Sequence, residues 1–247
     1  AREFIRGTVC CVAMIPSAFL IGAIFPVAID CVANGFPERQ IRMLGVASAL
    51  NTLGNIAGVV VGGFIMLPLV GSERGLWCLA ATAFAVALYA AAIAGRFRPR
   101  FAGAAALTLV LLIGQPTSLN YDVLTTGANV YFAEQRWGHV VDHAESLDGG
   151  LTSVNENVFG SNQRVLTLLT NGKFQGNDSV GGEMVAQMGF AMAPMLHTDA
   201  RDSALVIGYG TGNTSRVLHD AGFARLDVVD LSADIFRLAN EYFAAIN

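Results

Sequence analysis

The sequence predicts a multi-pass α-helical membrane segment followed by a small β domain and a truncated Rossmann-like α/β domain. Three observations carry this. Residues 7 to 115 hold nearly all of the apolar excess of a chain that is 53% hydrophobic and only 14% charged, a balance too greasy for an ordinary soluble protein. Residues 128 to 175 alternate and turn like short antiparallel strands. Finally, Leu205-Val206-Ile207 runs into Gly208-Tyr209-Gly210-Thr211-Gly212, and Asp230 stands at the tip of the next apolar run. The composition shift places the first boundary near Gln115-Pro116, giving 1–115 for the helices, and the strand and helix patterns beyond it give 116–180 for the β domain and 181–247 for the start of the α/β domain.

A hydrocarbon core about 30 Å thick takes about 20 apolar residues in a helix. The segments 7–33, 44–70 and 76–94 each reach that length, and the shorter 101–113, free of charge and flanked by Arg100 and Gln115-Pro116, makes about a fourth span. The first segment is too long for a secretory leader and has no small-residue cleavage site. Gly54, Gly58 and Gly62 recur every four residues, a smooth stripe against which another helix can pack closely. Pro16, Pro26, Asp30, Asn51 and Asn55 could line a polar path in a transporter, but Asp30 lies close to Asn34-Gly35 and can reach the interface, and helix amides commonly bond to neighbouring helices. Cys10, Cys11, Cys31 and Cys78 lie in apolar stretches without Cys-x-x-Cys spacing, so they read as small buried side chains rather than metal ligands or disulfides.

The net charge of −4 and the scattered basic residues exclude a nucleic-acid footprint; Arg96, Arg98 and Arg100 read as helix-end anchors. With four spans, the arginine distribution mildly favours placing the polar half outside the cytoplasm. A nucleoside ligand made in the cytoplasm argues for the opposite side, and that argument is preferred because the arginine margin is small. The sequence is thus expected to sit in an integral-membrane setting, a bacterial inner membrane, with its soluble domain in the cytoplasm.

In the polar half, Ala128 to Ala133, His139 to His143 and Arg164 to Thr170 read as strands, and Asn171-Gly172 as a tight hairpin turn. Gly182 to Met192 has helical spacing. Ser203 to Ile207 is then a strand, Asn213 to Ala221 a helix, Arg225 to Leu231 a strand and Ala233 to Ala245 a helix. A buried strand ending in Gly-x-Gly-x-Gly lets backbone N–H groups approach a ligand, and a later carboxylate can accept both ribose hydroxyls. That combination points to an adenosine-type ligand. Asp230 has a competing role as a helix N-cap, one for which Ser232 is equally suited. His197 and His219 have no partnered acid at a readable spacing and read as surface or packing residues.

Asn171-Gly172-Lys173-Phe174-Gln175, Glu183-Met184-Val185-Ala186, Pro194-Met195-Leu196-His197, Val206 to Gly212 and Val228-Val229-Asp230-Leu231 resemble, in order and spacing, the spermidine synthase (polyamine aminopropyltransferase) family. The stretch with Phe25-Pro26, Asn51-Thr52-Leu53-Gly54, Gly63-Phe64 and Leu67-Pro68 is similar to its integral-membrane, fused members. The resemblance implies a β domain of spermidine synthase type, a Rossmann-like domain akin to S-adenosylmethionine-dependent methyltransferases, and decarboxylated S-adenosylmethionine as co-substrate, with no prosthetic group and no metal. It implies that Gln175 contacts the nucleoside substrate, that Gly208, Gly210 and Gly212 pass beneath its aminoalkyl and ribose portion, that Asp230 takes the ribose hydroxyls, and that Glu183 is a weaker match for a substrate-pocket acid. A polyamine and the lipid bilayer are the further partners, and a homodimer is left open.

The departures are specific. Where the soluble synthases carry an acid in the glycine loop, a Tyr before the motif glutamate and a His after it, this chain has Thr211, Gly181 and Gln187. The chain opens on Ala1 and stops at Asn247 after the second α/β helix, so it reads as a fragment, expected to be inactive alone, with the catalytic base expected beyond Asn247. Two other functions compete with aminopropyl transfer: methyl transfer from S-adenosylmethionine itself, and a polyamine transporter or sensor with a non-catalytic nucleotide-like domain.

Overall fold

A computed structural model of the chain describes residues 2–35, 40–93, 103, 105–110, 114, 118–159 and 163–247. The chain divides into two compact units, Ala1–Gly63 and Phe64–Asn247.

The first unit is helical. Helix α1 spans Arg2–Gly35 and helix α2 spans Gln40–Val59, and the two pack against each other. Pro16 and Pro26 lie inside α1 without ending it, although each removes a backbone donor. Most of the described side chains of both helices are exposed, Phe19 at 72%. Cys10, Cys11 and Cys31 in α1, like Cys78 in the second unit, are free and exposed, which corrects the expectation of burial: a nearly all-apolar helix has no single inward face, so a small apolar residue on it need not be covered. The glycine stripe likewise meets no partner. A Cβ built on Gly54, Gly58 or Gly62 has no atom within 4 Å, so the stripe packs closely against no helix among the described residues.

A seven-residue π-helical stretch, Val60–Met66, follows α2 and crosses the division between the units. In the second unit, α3 runs over Leu67–Ile93 but is broken at Gly71, whose φ of 76° and ψ of 170° are not helical. The break falls in the gap between the predicted spans 44–70 and 76–94. Among the described residues, two helical stretches, Gly7–Cys31 and Ile41–Ala92, are long and apolar enough to cross a membrane, and the second, at 52 residues, is more than twice the about 20 that one crossing needs. Of the predicted span 101–113, residues 103 and 105–110 are helical; the rest of it, together with Gln115 and Pro116, lies outside the described residues.

Two short helices follow, α4 at Tyr121–Leu124 and α5 at Ala128–Tyr131. The latter replaces a predicted strand. Gly127 and Phe132, at φ 70° and 55°, bracket the four residues in left-handed backbone, which no extended strand contains, and the Tyr131 N–H donates to the Gly127 carbonyl.

The small sheet is a four-stranded antiparallel meander of β1 (His139–Ser146), β2 (Gly150–Phe159), β3 (Gln163–Thr170) and β4 (Lys173–Asn177), paired in that order. Asn171 and Gly172, at φ 52° and 75°, make the predicted tight turn between β3 and β4, positive φ at both central positions matching the twist of the flanking strands. Strand β2 was not expected, because Thr152, Ser153, Asn155, Glu156 and Asn157 break any apolar alternation. The buried Ser153 and Asn155 side chains are instead hydrogen-bonded, whereas the buried Thr152 hydroxyl has no partner among the described residues. The Ser153 hydroxyl donates to Asn155 Oδ1 at 2.8 Å, and Asn155 Nδ2 donates to the Thr125 hydroxyl at 2.9 Å, so the burial penalty is offset.

The last portion alternates helix and strand: α6 (Glu183–Met195), β5 (Ser203–Ile207), α7 (Asn213–Asp220), β6 (Arg225–Val229) and α8 (Ala233–Tyr242). β5 and β6 pair in parallel with Val206 opposite Val228. One face of this pair, through Ala204, Val206, Leu226 and Val228, packs on Ala191 and Leu218 of α6 and α7. Helix α8 turns its apolar stripe the other way. Ile235 and Leu238, with Phe243 just beyond the helix, form one core with Val154, Leu166 and Leu168 of the antiparallel sheet. Tyr209, just after β5, packs against that core.

Candidate functional site

The loop between β5 and α7 has three glycines in left-handed backbone, Gly208 at φ 91°, Gly210 at 56° and Gly212 at 87°. Side chains rarely adopt such angles, so the glycines are required by conformation before any ligand is considered. The loop is pinned at its start by two bonds to the end of β6. The Gly208 N–H donates to the Val229 carbonyl at 2.7 Å, and the Tyr209 N–H to Asp230 Oδ2 at 2.6 Å.

Asp230 is half-buried, and its other oxygen accepts the Ser232 N–H at 3.1 Å. It binds the residue ahead of α8 and not the second or third helical amide, so it is not the N-cap of that helix; Ser232 occupies the cap position but makes no side-chain capping bond. Each carboxylate oxygen of Asp230 has a second lone pair. The site can therefore take two further donors, such as a pair of vicinal hydroxyls.

Access to the loop is uneven along its length. A Cβ on Gly208 would meet nothing within 4 Å, and one on Gly210 would come only to 3.8 Å of the Gln175 carbonyl. Over Gly212, by contrast, the space is taken by the Tyr209 ring and Asn247. Tyr209 is held there by stacking on Phe236, centroids 4.5 Å apart, and by donating its hydroxyl to Asn240 Oδ1 at 2.8 Å. Burial pushes its phenol above the ordinary value, against the opposing hydrogen bond to Asn247.

Of the residues expected at the site, Gln175 on β4, Gly208, Gly210 and Gly212 in the loop and Asp230 at the end of β6 come together. Gln175 is half-buried, and its backbone lies beside Gly210. Glu183 opens α6, half-buried, next to Met184, whose carbonyl accepts Asn213 Nδ2 at 3.0 Å at the start of α7. Among the described residues, its link to the start of α7 runs through that neighbour.

A pair that the sequence treats as two separate departures becomes one feature. The Thr211 hydroxyl donates to Gln187 Oε1 at 2.6 Å, and both residues are buried, at 1% and 6% exposure. Thr214 Oγ1 adds a bond to the Gln187 carbonyl at 3.0 Å. Gln187 Nε2 is buried without a partner and lies against Gly176. The bond spans residues 24 apart in sequence, a separation that leaves no periodicity to read.

His197 and His219 are exposed, although His219 Nδ1 does meet an acid, Asp220 Oδ1 at 3.3 Å, one residue along. The closer pair was missed: His139 Nδ1 lies 2.9 Å from Asp122 Oδ2, at the first residue of β1. No group of three or more His, Cys, Asp or Glu that could hold a metal ion gathers among the described residues.

Comparison of the chain with protein-family models, with curated proteins and with solved structures gives no match. The functional reading therefore rests on the residues and their geometry.

Proposed function

We propose that the chain is membrane-anchored through its apolar helices and that its α/β portion is a Rossmann-like domain that binds an adenosyl sulfonium. In this reading the ligand is decarboxylated S-adenosylmethionine, and the reaction transfers its aminopropyl group to a polyamine on the cytoplasmic side of the membrane. The observation that carries the reading is the Asp230 carboxylate bonded to the Tyr209 amide beneath a glycine loop that is open at Gly208 and Gly210. A carboxylate fixed at a strand end and bonded to an amide of a glycine turn suits a ribose.

The residues divide the work as follows. Asp230 takes the ribose hydroxyls, Gly208 and Gly210 let the backbone pass under the sugar and aminoalkyl chain, Gln175 lies alongside, and Glu183 is the candidate acid on the acceptor side. The amine nitrogen attacks the methylene carbon bonded to sulfur; as the new C–N bond forms, the C–S bond breaks and its electron pair stays on sulfur, leaving a thioether nucleoside. The amine proton must then leave, and no residue of this chain is assigned as its base. Most of the rate gain in such a step comes from alignment of the two reactants.

Calorimetry with decarboxylated S-adenosylmethionine on the protein in detergent tests the reading. Binding that weakens at least about tenfold in Asp230→Ala supports it. Absence of binding, or binding indifferent to that substitution, sinks it.

One observation favours a second reading. The neutral Thr211–Gln187 pair puts no carboxylate inside the loop to meet an aminopropyl ammonium, so methyl transfer from S-adenosylmethionine itself is the alternative. Tighter binding of the carboxylated ligand than of the decarboxylated one decides for it.

A further inference from the structure

The break in α3 carries a polar junction apart from the glycine loop. At Gly71 the backbone lies in a region open essentially to glycine alone, and the helix resumes at Ser72. The first amides of a helical run have no partner within it, and here the Ser72 N–H donates to Glu145 Oε2 on β1. The other Glu145 oxygen accepts the Tyr121 hydroxyl at 3.2 Å. The Tyr121 ring in turn stacks on His143, with centroids 3.9 Å apart.

A second bond runs in the reverse direction. Glu73 Oε2, from the resumed helix, accepts the Leu119 N–H at 3.3 Å, in the segment that leads into α4. The sheet thus supplies a carboxylate to a free amide of the helix, and the helix supplies one to an amide of the segment before α4; a carboxylate at the start of a helix is further favoured by the helix dipole. Between them, among Leu67, Pro68, Tyr121, His143 and Glu145, lies a cavity of about 320 Å³, so the junction is held by a few polar bonds and not by close packing. Burial first, then the neighbouring Glu145 charge, push the Tyr121 phenol up to about 12. Its hydroxyl accordingly stays a donor throughout the neutral range.

We propose that Glu145 is a latch that couples the helix break at Gly71 to the four-stranded sheet, so that residues 72–93 and strand β1 loosen or tighten together. A shift of the break by even one residue separates Ser72 from the carboxylate and leaves a half-buried charge and an amide unpaired at once. The arrangement is therefore held or released, not graded. Gly71 gives the chain a pivot, and Glu145 determines whether the pivot is fixed. This coupling does not depend on the identity of any ligand at the glycine loop.

Hydrogen exchange followed by mass spectrometry on the full chain in lipid nanodiscs tests it in both directions. Glu145→Ala is expected to speed exchange about tenfold in a peptide covering 69–78, the loss of one charge-assisted bond, while a peptide covering 163–170 in β3 stays within about twofold. Gly71→Ala, which cannot hold the positive φ comfortably, is expected to speed exchange in 141–146, across the junction. Unchanged exchange in 69–78 for Glu145→Ala with β3 intact overturns the latch, as does unchanged exchange in 141–146 for Gly71→Ala. If Glu145→Ala also loosens β3, Tyr121→Phe decides, since it removes one bond to the carboxylate without touching α3: about a threefold rise in 69–78 supports the latch, and no rise overturns it.

Discussion

Asp230 Oδ2 accepts the backbone N–H of Tyr209 at 2.6 Å, tying the tip of β6 to the first turn of the glycine loop. The same carboxylate holds the Ser232 N–H, so one side chain sets the relative position of the loop and the entry to α8. Asp230→Ala leaves both amides without that acceptor, which at a half-buried position costs about 1–2 kcal/mol of stability, whereas Asp230→Asn keeps one carbonyl oxygen and is expected to lose about half as much. Thermal unfolding in a fixed detergent orders the three proteins. An alanine variant as stable as the parent would mean that the loop is held by its glycines alone.

The Thr211–Gln187 bond fixes the far side of the same loop against α6. Thr211→Val keeps the shape and removes the donor, stranding a buried amide oxygen, for an expected loss of about 1–3 kcal/mol. Gln187→Met removes the partner as well as the Nε2 group that has no bond. The double variant is therefore expected to be less destabilised than the sum of the two single ones by about 1 kcal/mol, the coupling that a double-mutant cycle reads. Additive losses would show that the 2.6 Å contact contributes nothing net.

How far these relations could be foreseen depends on whether they are local in sequence. The parallel strand Ser203–Ile207 and the turn Asn171-Gly172 were legible, because an apolar run closed by glycine, and an Asn-Gly pair between two strands, each constrain backbone within a few residues. The break at Gly71 fell where the polar Ser72, Glu73 and Arg74 separate two apolar runs. Strand β2 was not legible, since Asn155 and Ser153 are buried by hydrogen bonds to each other and to Thr125, 30 residues earlier, which no alternation pattern encodes. Residues 128–131 misled for the opposite reason: Val130 and Tyr131 have strand propensity, but the flanking positive φ angles bend the chain into one helical turn. At the candidate site, the glycine loop and Asp230 at the end of the next strand were legible from their spacing, and Gln175 was named only through the family resemblance. The Thr211–Gln187 contact and the closure over Gly212 by Tyr209 and Asn247 arise only when α6 and the chain after α8 pack on the loop.

Acid is expected to loosen the start of β1. Asp122 is held below its ordinary carboxylate value by the Val140 N–H and then by the bond from His139, with burial opposing. A group depressed in the folded state contributes stability that is present above its unfolded pKa, about 3.9, and lost as pH falls through the folded value. Titration from pH 6 toward pH 2 is therefore expected to destabilise the parent more than Asp122→Asn, the two curves converging at the acid end. Because Asp122 lies largely at the surface, the difference is also expected to shrink in 1 M salt. Parallel curves from pH 6 to pH 2 would remove Asp122 from the account.

Two glycines with nearly the same backbone angle separate conformational strain from steric conflict. Gly181, at φ 79°, would place a Cβ in open space, whereas at Gly138, at φ 88°, a Cβ would run into the Glu156 carbonyl and the Asn157 backbone across β2. Gly181→Ala pays only for the left-handed angle, about 1–2 kcal/mol. Gly138→Ala adds a collision with backbone that cannot rotate aside, so its cost is expected to exceed that of Gly181→Ala by about 2 kcal/mol or more. The excess should concentrate in β1 and β2, where His139 pairs with Glu156, and hydrogen exchange there should accelerate while β5 and β6 are spared. Equal losses in the two variants would mean that the β1 entry moves freely enough to accept a side chain, and that the register at His139 is not set by the close approach at Gly138.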